Sequence, residues 1–392
     1  MLLTPTDLQE MIESSVLGYL KHEYDFIARA SSLSATNGIN ATVWQNFADM
    51  GWLGLPVAEE NGGIGGGPME AGLLMRAFGQ HLVVEPYLAC VLRATRLLQA
   101  TASAAQKSQW LPALVTGEKR LVLAHEERFE SAPWAPRATR ATRATRDAEG
   151  YLLTGSKVLV AGTPGADALI VSAELEGGGC GLFLVEPDNP GVTLSAQRTL
   201  DSAHAADLTL NQVRIVDDAL LGDPSSNQAV LDEVIAAAII AECWEATGAM
   251  QAALEQTAAY VCERQQFGKP LSSFQVVQHR LAEMAVACED SLAVCQLAAL
   301  RSQDDPRCAR QMSALARSKV GRCAREVSQA AVQLHGAMGV SEELMVASLF
   351  RKLLAFHQQH GTTAAFTAAY GNHMLETGTW RNSQVLPAVA TE

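Results

Sequence analysis

The segment of the chain that most resembles a known ligand-binding motif is a run of glycines. Residues 62–67 read Gly-Gly-Ile-Gly-Gly-Gly, a composition found in loops that bind phosphate. The run lacks the Gly-Lys-Ser/Thr ending of a P-loop, and no strand leads into it as a dinucleotide-binding fingerprint requires. We therefore expect a tight turn between helices, where glycine supplies backbone conformations that other residues disfavour.

The eight cysteines form no recognisable motif for metal or redox chemistry. They include no CxxC pair and no repeated spacing, and six of them lie between residues 243 and 323, in segments typical of helices. We expect reduced thiols in the core, and neither a metal site nor a disulfide framework. The sequence also has no GxSxG and no HExxH motif, so it gives no indication of an α/β-hydrolase or a zinc metalloprotease active site.

A tandem Arg-Ala-Thr triplet occupies residues 137–145 and continues with Arg146 and Asp147. It places four arginines within ten residues of an otherwise acidic chain. One interpretation is an extended, solvated strand or loop. The other is a basic lip that attracts a polyanionic ligand.

Composition limits the class of protein. The chain has 392 residues, so two or three domains are expected. Its 29 basic and 42 acidic residues give a net charge of −13, which argues against a nucleic-acid partner, since phosphate binding needs basic residues. The longest apolar stretch, residues 234–241, is too short to span a bilayer, and the N-terminus carries acidic residues where a signal peptide carries basic ones. We expect no membrane partner and a cytoplasmic location.

The elements that must position any site fall into three regimes, which together predict an α+β fold. Residues 1–118 show helical spacing of apolar positions, with Thr6 or Asp7 as the first N-cap. Residues 119–225 contain short runs rich in Val, Leu and Ile, which predict an antiparallel sheet domain, either a barrel or a sandwich. Residues 226–392 return to long helices.

Two C-terminal segments resemble signatures of the acyl-CoA dehydrogenase family. Residues 260–271 read Tyr-Val-Cys-Glu-Arg-Gln-Gln-Phe-Gly-Lys-Pro-Leu, and residues 333–339 read Gln-Leu-His-Gly-Ala-Met-Gly. Upstream, residues 51–67 are similar to the helix-domain turn of the family, and Leu-Gly-Asp-Pro at 221–224 is similar to its sheet-to-helix junction. Within the family, the runs AEENGGIGGGPME, AFGQHLVVEPYLA and AHEER most resemble small-subunit-like members of the pimeloyl-CoA dehydrogenases.

The resemblance implies a fold and an activity. The fold has an N-terminal helical domain (1–118), a middle β-domain (119–225) and a C-terminal four-helix bundle (226–392). The activity is FAD-dependent α,β-dehydrogenation of an acyl-CoA thioester: a carboxylate base removes the α-proton while the β-hydrogen leaves as hydride to the flavin. Electrons then pass to an electron-transfer flavoprotein. The implied assembly is a homo-oligomer, typically a tetramer, or a hetero-tetramer with a second acyl-CoA dehydrogenase subunit.

The resemblance also implies which residues bind FAD. Arg264 corresponds to an arginine that reaches the FAD pyrophosphate of the neighbouring subunit, and its planar fork suits two phosphate oxygens. Phe267 and Gln275 fall at positions near the flavin or its adenosine, again across the dimer interface. Three residues, Gln333, Gly336 and Ala337, fall where the family's backbone turn contacts the adenosine diphosphate half of FAD. Thr362 corresponds to the threonine that follows the catalytic residue.

The chain departs from the family at the catalytic base. The glutamate that precedes Gly-Thr in the last helical segment is replaced by His360. The alternative glutamate of some members falls near Ala237 or Ala238, and the nearest carboxylate, Glu242, lies about one turn further on, roughly 6 Å along the helix axis.

The β-domain departs as well. Where the family commonly shows Trp-Ile-Thr beside the flavin, residues 159–161 read Leu-Val-Ala. The family's Thr-Glu-Pro and Gly-Ser run is replaced by Ala-His-Glu-Glu at 124–127 and Arg-Phe-Glu-Ser at 128–131. An aromatic flank and a hydroxyl donor are therefore missing. The candidate flavin contacts in this domain are Ala124, His125, Leu159 and Ala161.

Two interpretations of His360 remain open at this point. A neutral imidazole can accept a proton near physiological pH, so His360 could be the base, with Glu242 as the nearest carboxylate alternative. It could equally be a hydrogen-bonding histidine in a subunit that has lost catalysis, and His357, one turn earlier, shares the ambiguity. The chain is then either a working flavoenzyme, alone or within a heteromer, or a non-catalytic partner that completes the FAD site of a catalytic neighbour.

Overall fold

The structure is a computed structural model that describes residues 4–35, 38–127 and 142–381. Helices fill the N-terminal and C-terminal parts, and a sheet lies between them. The expected α+β architecture with a central sheet is therefore confirmed. None of the helices in these ranges is long and apolar enough to cross a membrane.

The N-terminal part contains six α-helices and one π-helix among its described residues. The first helix is capped at Thr6, whose hydroxyl accepts from the Gln9 amide while the Gln9 side chain accepts from the Thr6 amide. The glycine run forms a turn, with Gly62 and Gly65 at φ 85° and 71°, and the fourth helix starts at Pro68. The expected turn is confirmed. The elements are α1 (Asp7–Glu23), α2 (Arg29–Ser34), α3 (Ala41–Asp49), α4 (Pro68–His81), the π-helix (Leu88–Thr95), α5 (Arg96–Thr101) and α6 (Ala104–Val115).

Eight strands form the central sheet in the part of the chain that the structure describes. They are β1 (Leu121–Ala124), β2 (Arg143–Asp147), β3 (Gly150–Ala161), β4 (Ala168–Leu175), β5 (Cys180–Val185), β6 (Val192–Arg198), β7 (His204–Ile215) and β8 (Leu220–Leu221). The strand order is β6-β7-β3-β2-β4-β5-β8, and β1 pairs with β4. Within the described residues this order does not close on itself, so the barrel or sandwich stays a prediction.

The sheet is mixed, which corrects the expectation of a purely antiparallel one. Five pairings are antiparallel, whereas β1 and β2 each pair with β4 in parallel. The parallel pairing of β2 and β4 has a simple reason. The chain reverses between β2 and β3 and again before β4, so two reversals return it to its original direction.

The Arg-Ala-Thr repeat is described only in its second half. Residues 143–147 form β2, where Arg146 pairs with Asp217 at 2.8 Å on the surface. This half therefore fits the solvated-strand interpretation. Residues 137–141, with two of the four arginines of the basic-lip interpretation, and the 128–131 run lie outside the described residues, so the basic lip stays a prediction.

The C-terminal part contains five α-helices, up to residue 381, where a four-helix bundle was expected. A turn at residues 357–362 divides the last helical region in two, because His360 and Gly361 adopt positive φ values of 55° and 111° that an α-helix cannot contain. The elements are α7 (Asn227–Glu263), a two-stranded hairpin of β9 (Gln265–Gln266) and β10 (Lys269–Pro270), α8 (Gln275–Asp304), α9 (Ala309–His335), α10 (Met345–Phe356) and α11 (Thr363–Thr377).

The 37-residue helix α7 joins the two helical parts. Its backbone packs closely on α4 because glycines face each other across the contact: a Cβ at Gly79 would lie 1.8 Å from the Glu245 carbonyl oxygen, and one at Gly248 would lie 1.9 Å from that of Arg76. Six of the eight cysteines are buried as expected, whereas Cys262 is exposed and Cys308 is half-buried.

Candidate active site

A cavity of about 430 Å³ lies where α4, the π-helix, the sheet and the end of α10 meet. This volume falls in the range of roughly 300–1,000 Å³ typical of small-molecule pockets. Most of its wall is apolar, with Phe78, Val83 and Ile235 among the lining residues. The polar wall residues fall into two groups, one around His360 and one around Lys352.

His360 and Glu242 form a hydrogen-bonded pair at the cavity wall. The Nε2 atom of His360 lies 2.9 Å from Oε1 of Glu242, although the two residues are 118 positions apart in the chain. Both side chains are largely buried, at 9% and 4% exposure. Glu242 projects from the middle of α7, and the positive φ of His360 turns its imidazole toward that helix. The sequence named both residues as candidates, and the structure places them together.

A second ion pair approaches the other side of the imidazole. Glu126 lies just after the end of β1, and its Oε1 is 2.5 Å from Nη2 of Arg93, which projects from the π-helix. The same Oε1 lies 3.6 Å from Nδ1 of His360, too far for a hydrogen bond. Sequence reasoning did not identify Arg93 as a site residue. The available signal was a single charged residue in the apolar run Leu-Ala-Cys-Val-Leu-Arg.

The two carboxylates beside His360 are both held in the charged form. Burial alone would raise the pKa of Glu126, but the charges of Arg93 and His360 more than offset it, so the pKa is lowered. Burial would likewise raise the pKa of Glu242, and His360 together with Arg317 lowers it. His360 therefore has an ionised carboxylate near each of its two ring nitrogens.

Three of the four β-domain candidates line the cavity. They are His125, Leu159 and Ala161. Leu159 reaches the wall because the register of β3 shifts between Lys157 and Val160, and it adopts φ 50° within this bulge. Ala124 is fully buried inside β1 and is not among the cavity-lining residues. His125 contacts the Ser172 hydroxyl through Nδ1 at 2.8 Å, and Lys157 donates to the same hydroxyl at 3.2 Å.

The second polar group of the cavity is an ionic network that joins three elements. Nζ of Lys352, on α10, lies 2.9 Å from Glu245 of α7 and 3.3 Å from Asp201, in the β6–β7 connection. Burial alone would lower the pKa of Lys352, but the two carboxylates raise it, so the ammonium stays charged. The sequence analysis did not identify this network.

The residues assigned by resemblance to a neighbour's FAD lie apart from the cavity, on exposed surface. Arg264 precedes the hairpin after α7, and Phe267 lies in the turn of that hairpin, where its ring is 90% exposed at φ 54°. The end of α9 is tied to this region because Tyr260 stacks on His335 with ring centres 4.3 Å apart. The other exposed residues of this set are Gln275, Gln333, Gly336 and Ala337.

Thr362 and His357 have local structural contacts. The Thr362 hydroxyl accepts from the Ala365 amide at 3.2 Å and caps α11. His357 is buried, contacts the Thr363 hydroxyl at 3.3 Å and is not among the cavity-lining residues. Burial and the charges of Arg317 and Arg325 lower its pKa to about 4. His357 and His360 therefore occupy different environments.

The described residues contain no group of three or more His, Cys, Asp or Glu side chains that could hold a metal ion.

The sequence matches profiles of one enzyme family over both helical parts. The profile of the acyl-CoA dehydrogenase N-terminal domain matches residues 6–118, and that of the C-terminal domain matches residues 232–374. The chain belongs to the acyl-CoA dehydrogenase family. Membership confirms the family that the signature segments suggested, and FAD is the cofactor.

Similar proteins include other acyl-CoA dehydrogenases. The chain is 28% identical to acyl-CoA dehydrogenase FadE27 of Mycobacterium tuberculosis over 315 residues, which cover 79% of this chain and 81% of that protein. It resembles the solved structure of a variant of the Tcur3481-Tcur3483 steroid ACAD, with 27% identity, a TM-score of 0.82 and coverage of 95% and 98%. The fold also matches the ChsE4-ChsE5 complex from Mycobacterium tuberculosis at 24% identity, with a TM-score of 0.86 and coverage of 96% and 99%.

The residues of this chain fit FAD in two separate places. At the exposed surface, an aromatic ring that is 90% exposed in a positive-φ turn, three residues after an arginine, is available to contact a bound group. In the cavity, the bulge at Leu159 and the small Ala161 leave a wall against which a flat ring can lie. Hydroxyl donors are absent from residues 159–161, so polar contacts to a ring must come from other residues such as His125.

Proposed function

We propose that this chain is one subunit of an assembly that carries out FAD-dependent α,β-dehydrogenation of an acyl-CoA thioester, with His360 as the base that removes the α-proton. The observation that carries the proposal is the buried His360–Glu242 pair at the cavity wall. His360 also stands where the family places its catalytic glutamate. The reaction is the oxidation of a CH–CH bond.

In this proposal His360 and Glu242 have different roles in the proton transfer. Glu242 accepts a hydrogen bond from Nε2–H of His360, which leaves the Nδ1 lone pair to accept the α-proton. The ionised Glu242 then stabilises the imidazolium that forms. Arg93 keeps Glu126 engaged, so Glu126 stays 3.6 Å from Nδ1. FAD, when bound, supplies the acceptor for the hydride that leaves the β-carbon.

Residues on the exposed surface hold FAD from the neighbouring subunit in the same proposal. Arg264 binds the pyrophosphate, Phe267 and Gln275 contact the flavin or adenosine, and the turn at 333–337 supports the adenosine diphosphate half. His125, Leu159, Ala161 and Thr362 contact the ring end in this chain. The assembly is a homo- or hetero-tetramer, and an electron-transfer flavoprotein accepts the electrons. The small-subunit-like resemblance to pimeloyl-CoA dehydrogenases supports the heteromeric form.

A second candidate function is that of a non-catalytic partner subunit. The specific observation in its favour is that Nδ1 of His360, the atom that would accept the α-proton, already has the ionised Glu126 carboxylate 3.6 Å away. Such a subunit would still supply Arg264 and Gln333 to a catalytic neighbour. That the similar structures include the ChsE4-ChsE5 complex agrees with a heteromeric assembly.

Purification of the chain alone and with a co-expressed family member that carries Glu-Gly-Thr separates the two functions. We expect the assembly to show flavin absorbance that bleaches with acyl-CoA thioesters, tested from butyryl-CoA to palmitoyl-CoA. In an assembly whose partner lacks its own glutamate, His360→Ala should abolish bleaching while FAD stays bound, and His360→Glu should retain it. If the wild-type chain bleaches only when its partner keeps the glutamate, the partner function is correct. If His360→Ala bleaches at the wild-type rate with the partner that lacks it, another group of this chain is the base.

A further inference from the structure

Arg317 is a cation in the interior of the C-terminal part. It projects from the first half of α9, and none of its side chain is exposed. Its Nη2 donates to the carbonyl oxygens of Phe356 and of Gln359, the latter at 2.9 Å. These carbonyls lie at the end of α10 and in the turn that follows. A cation at a helix C-terminus satisfies carbonyls that have no partner within the helix and is favoured by the helix dipole.

The rings of two neighbouring elements enclose the same guanidinium. Its central carbon lies 3.5 Å from the ring centre of Phe356 on α10 and 5.7 Å from that of Phe366 on α11. Cation–π contacts of this kind strengthen when they are removed from water. Arg317 therefore fixes both ends of the turn 357–362, which is the segment that carries His360.

The turn needs such support because its backbone is strained. His360 has φ 55°, a conformation that costs free energy for a residue with a side chain, and Gly361 follows at φ 111°. This conformation turns the imidazole toward Glu242. The contacts of Arg317 with Phe356 and Gln359 offset part of that cost, so their loss should let the turn relax.

The charge of Arg317 also reaches Glu242 and His357. It lowers the pKa of each. Burial and His360 have larger effects on the pKa of Glu242, and only burial has a larger effect on that of His357. Within the described residues, Nε and Nη1 of Arg317 have no hydrogen-bond partner. No carboxylate in these ranges thus neutralises the guanidinium by direct contact, and its field is available to stabilise the ionised Glu242.

We propose that Arg317 is a positioning residue for the His360–Glu242 pair: it holds the 357–362 turn in place through the Phe356 and Gln359 carbonyls. The role of the pair in catalysis rests on the proposed function. The assembly of the pair by Arg317 does not, and the two can fail separately.

Three variants of the full chain separate charge from geometry. Arg317→Met removes the positive charge and the planar guanidinium, whereas Arg317→Lys keeps the charge and removes only the guanidinium. Arg322→Met removes an exposed arginine of the same helix and is the control. Hydrogen exchange at the C2 position of each histidine, followed by mass spectrometry across pH, reports on His357 and His360 without FAD or substrate.

The proposal gives a different result for each variant. In Arg317→Met, the pKa of His357 should rise from about 4 toward its usual value of 6.5, and the C2 hydrogen of His360 should exchange at least fivefold faster. In Arg317→Lys, only the faster exchange of His360 is expected. Arg322→Met should match the wild type. Wild-type exchange of His360 in both Arg317 variants would overturn the proposal, and if Arg317→Met does not fold, the lysine variant decides alone.

Flavin reduction by the assembly gives the second measurement. With the acyl-CoA that bleaches the wild type, Arg317→Met should lower the limiting rate about tenfold and change the dissociation constant less than twofold, because the residue acts on the base and not on the thioester. An equal effect on both constants would contradict the positioning role. If the wild type reduces no flavin, the proposed function fails, while the exchange experiment still decides the role of Arg317.

Discussion

At the level of single residues, the chemistry of the cavity depends on charges that lie next to one another without belonging to one element. Glu126 and Glu242 come from the end of a strand and the middle of a helix, and His360 comes from a turn. Each carboxylate lies within 3.6 Å of a ring nitrogen of His360. Replacement of any one of the three should therefore change the electrostatic environment of the other two.

His357 should make stability depend on pH. Its folded pKa of about 4 lies below the usual 6.5, so the unfolded state binds more protons between these values. The stability that this histidine contributes is present above pH 6.5 and is lost as the pH falls toward 4. We expect His357→Gln to flatten the fall in melting temperature between pH 6.5 and 4.5, since glutamine cannot be protonated. An unchanged slope in the variant would show that other groups dominate this range.

At the level of elements, two contacts determine how the helices and the sheet surround the cavity. One is the close approach of α4 and α7 at Gly79, and the other is the ionic network of Lys352 with Glu245 and Asp201. The first depends on the absence of a side chain. The second depends on one ammonium that contacts two carboxylates away from bulk water.

Gly79→Ala should destabilise the protein although alanine favours a helix. The new methyl group would meet the Glu245 carbonyl oxygen of α7, so α4 and α7 must separate at a cost of about 1–3 kcal/mol. Gly371→Ala in α11 is the matched control, because nothing lies within 4 Å of a Cβ there, and it should gain about 0.5–1 kcal/mol from the lower entropy of the unfolded chain. Thermal unfolding of both variants tests whether the two substitutions change the free energy of unfolding in opposite directions.

Lys352→Met should be strongly destabilising, since it leaves the buried Asp201 and the half-buried Glu245 without their common cation. Removal of one member of a buried ionic group costs about 3–5 kcal/mol. Arg146→Met breaks an exposed pair with Asp217 and should cost about 0–1 kcal/mol. Urea unfolding at pH 7 distinguishes the two. Comparable losses in both variants would mean that the Lys352 network is as weak as a surface ion pair.

At the level of the whole molecule, the residues assigned to a neighbour's FAD lie on an exposed surface that no element of this chain covers in the described structure. We expect Arg264→Ala to lower the FAD content of the assembly without a change in melting temperature of the isolated chain, because the guanidinium is exposed and, in the proposed function, binds FAD held by the neighbour. Arg280→Ala, an exposed arginine of α8, is the control. Full FAD content in Arg264→Ala assemblies would remove this arginine from the site.

The order of the elements and the family can be read from the amino-acid sequence alone. The change from helical to strand spacing near residue 119 and back near residue 226 follows from local periodicity, and the turn at 62–67 follows from glycine. The signature segments at 260–271 and 333–339 are contiguous in sequence, so they can be recognised without a structure. The same reasoning identified His360 and Glu242 as separate candidates.

Which residues share the cavity depends on packing between distant elements. The His360–Glu242 contact joins positions 118 residues apart, and Arg93, Glu126, Arg317 and Lys352 gain their partners in the same way. Packing also sets the parallel direction of β1 and β2 against β4 and the break of the last helical region at residues 357–362. Local patterns indicate which face of a helix or strand is buried. The partner that packs on that face depends on how elements distant in the sequence meet, and no short segment of one sequence specifies this.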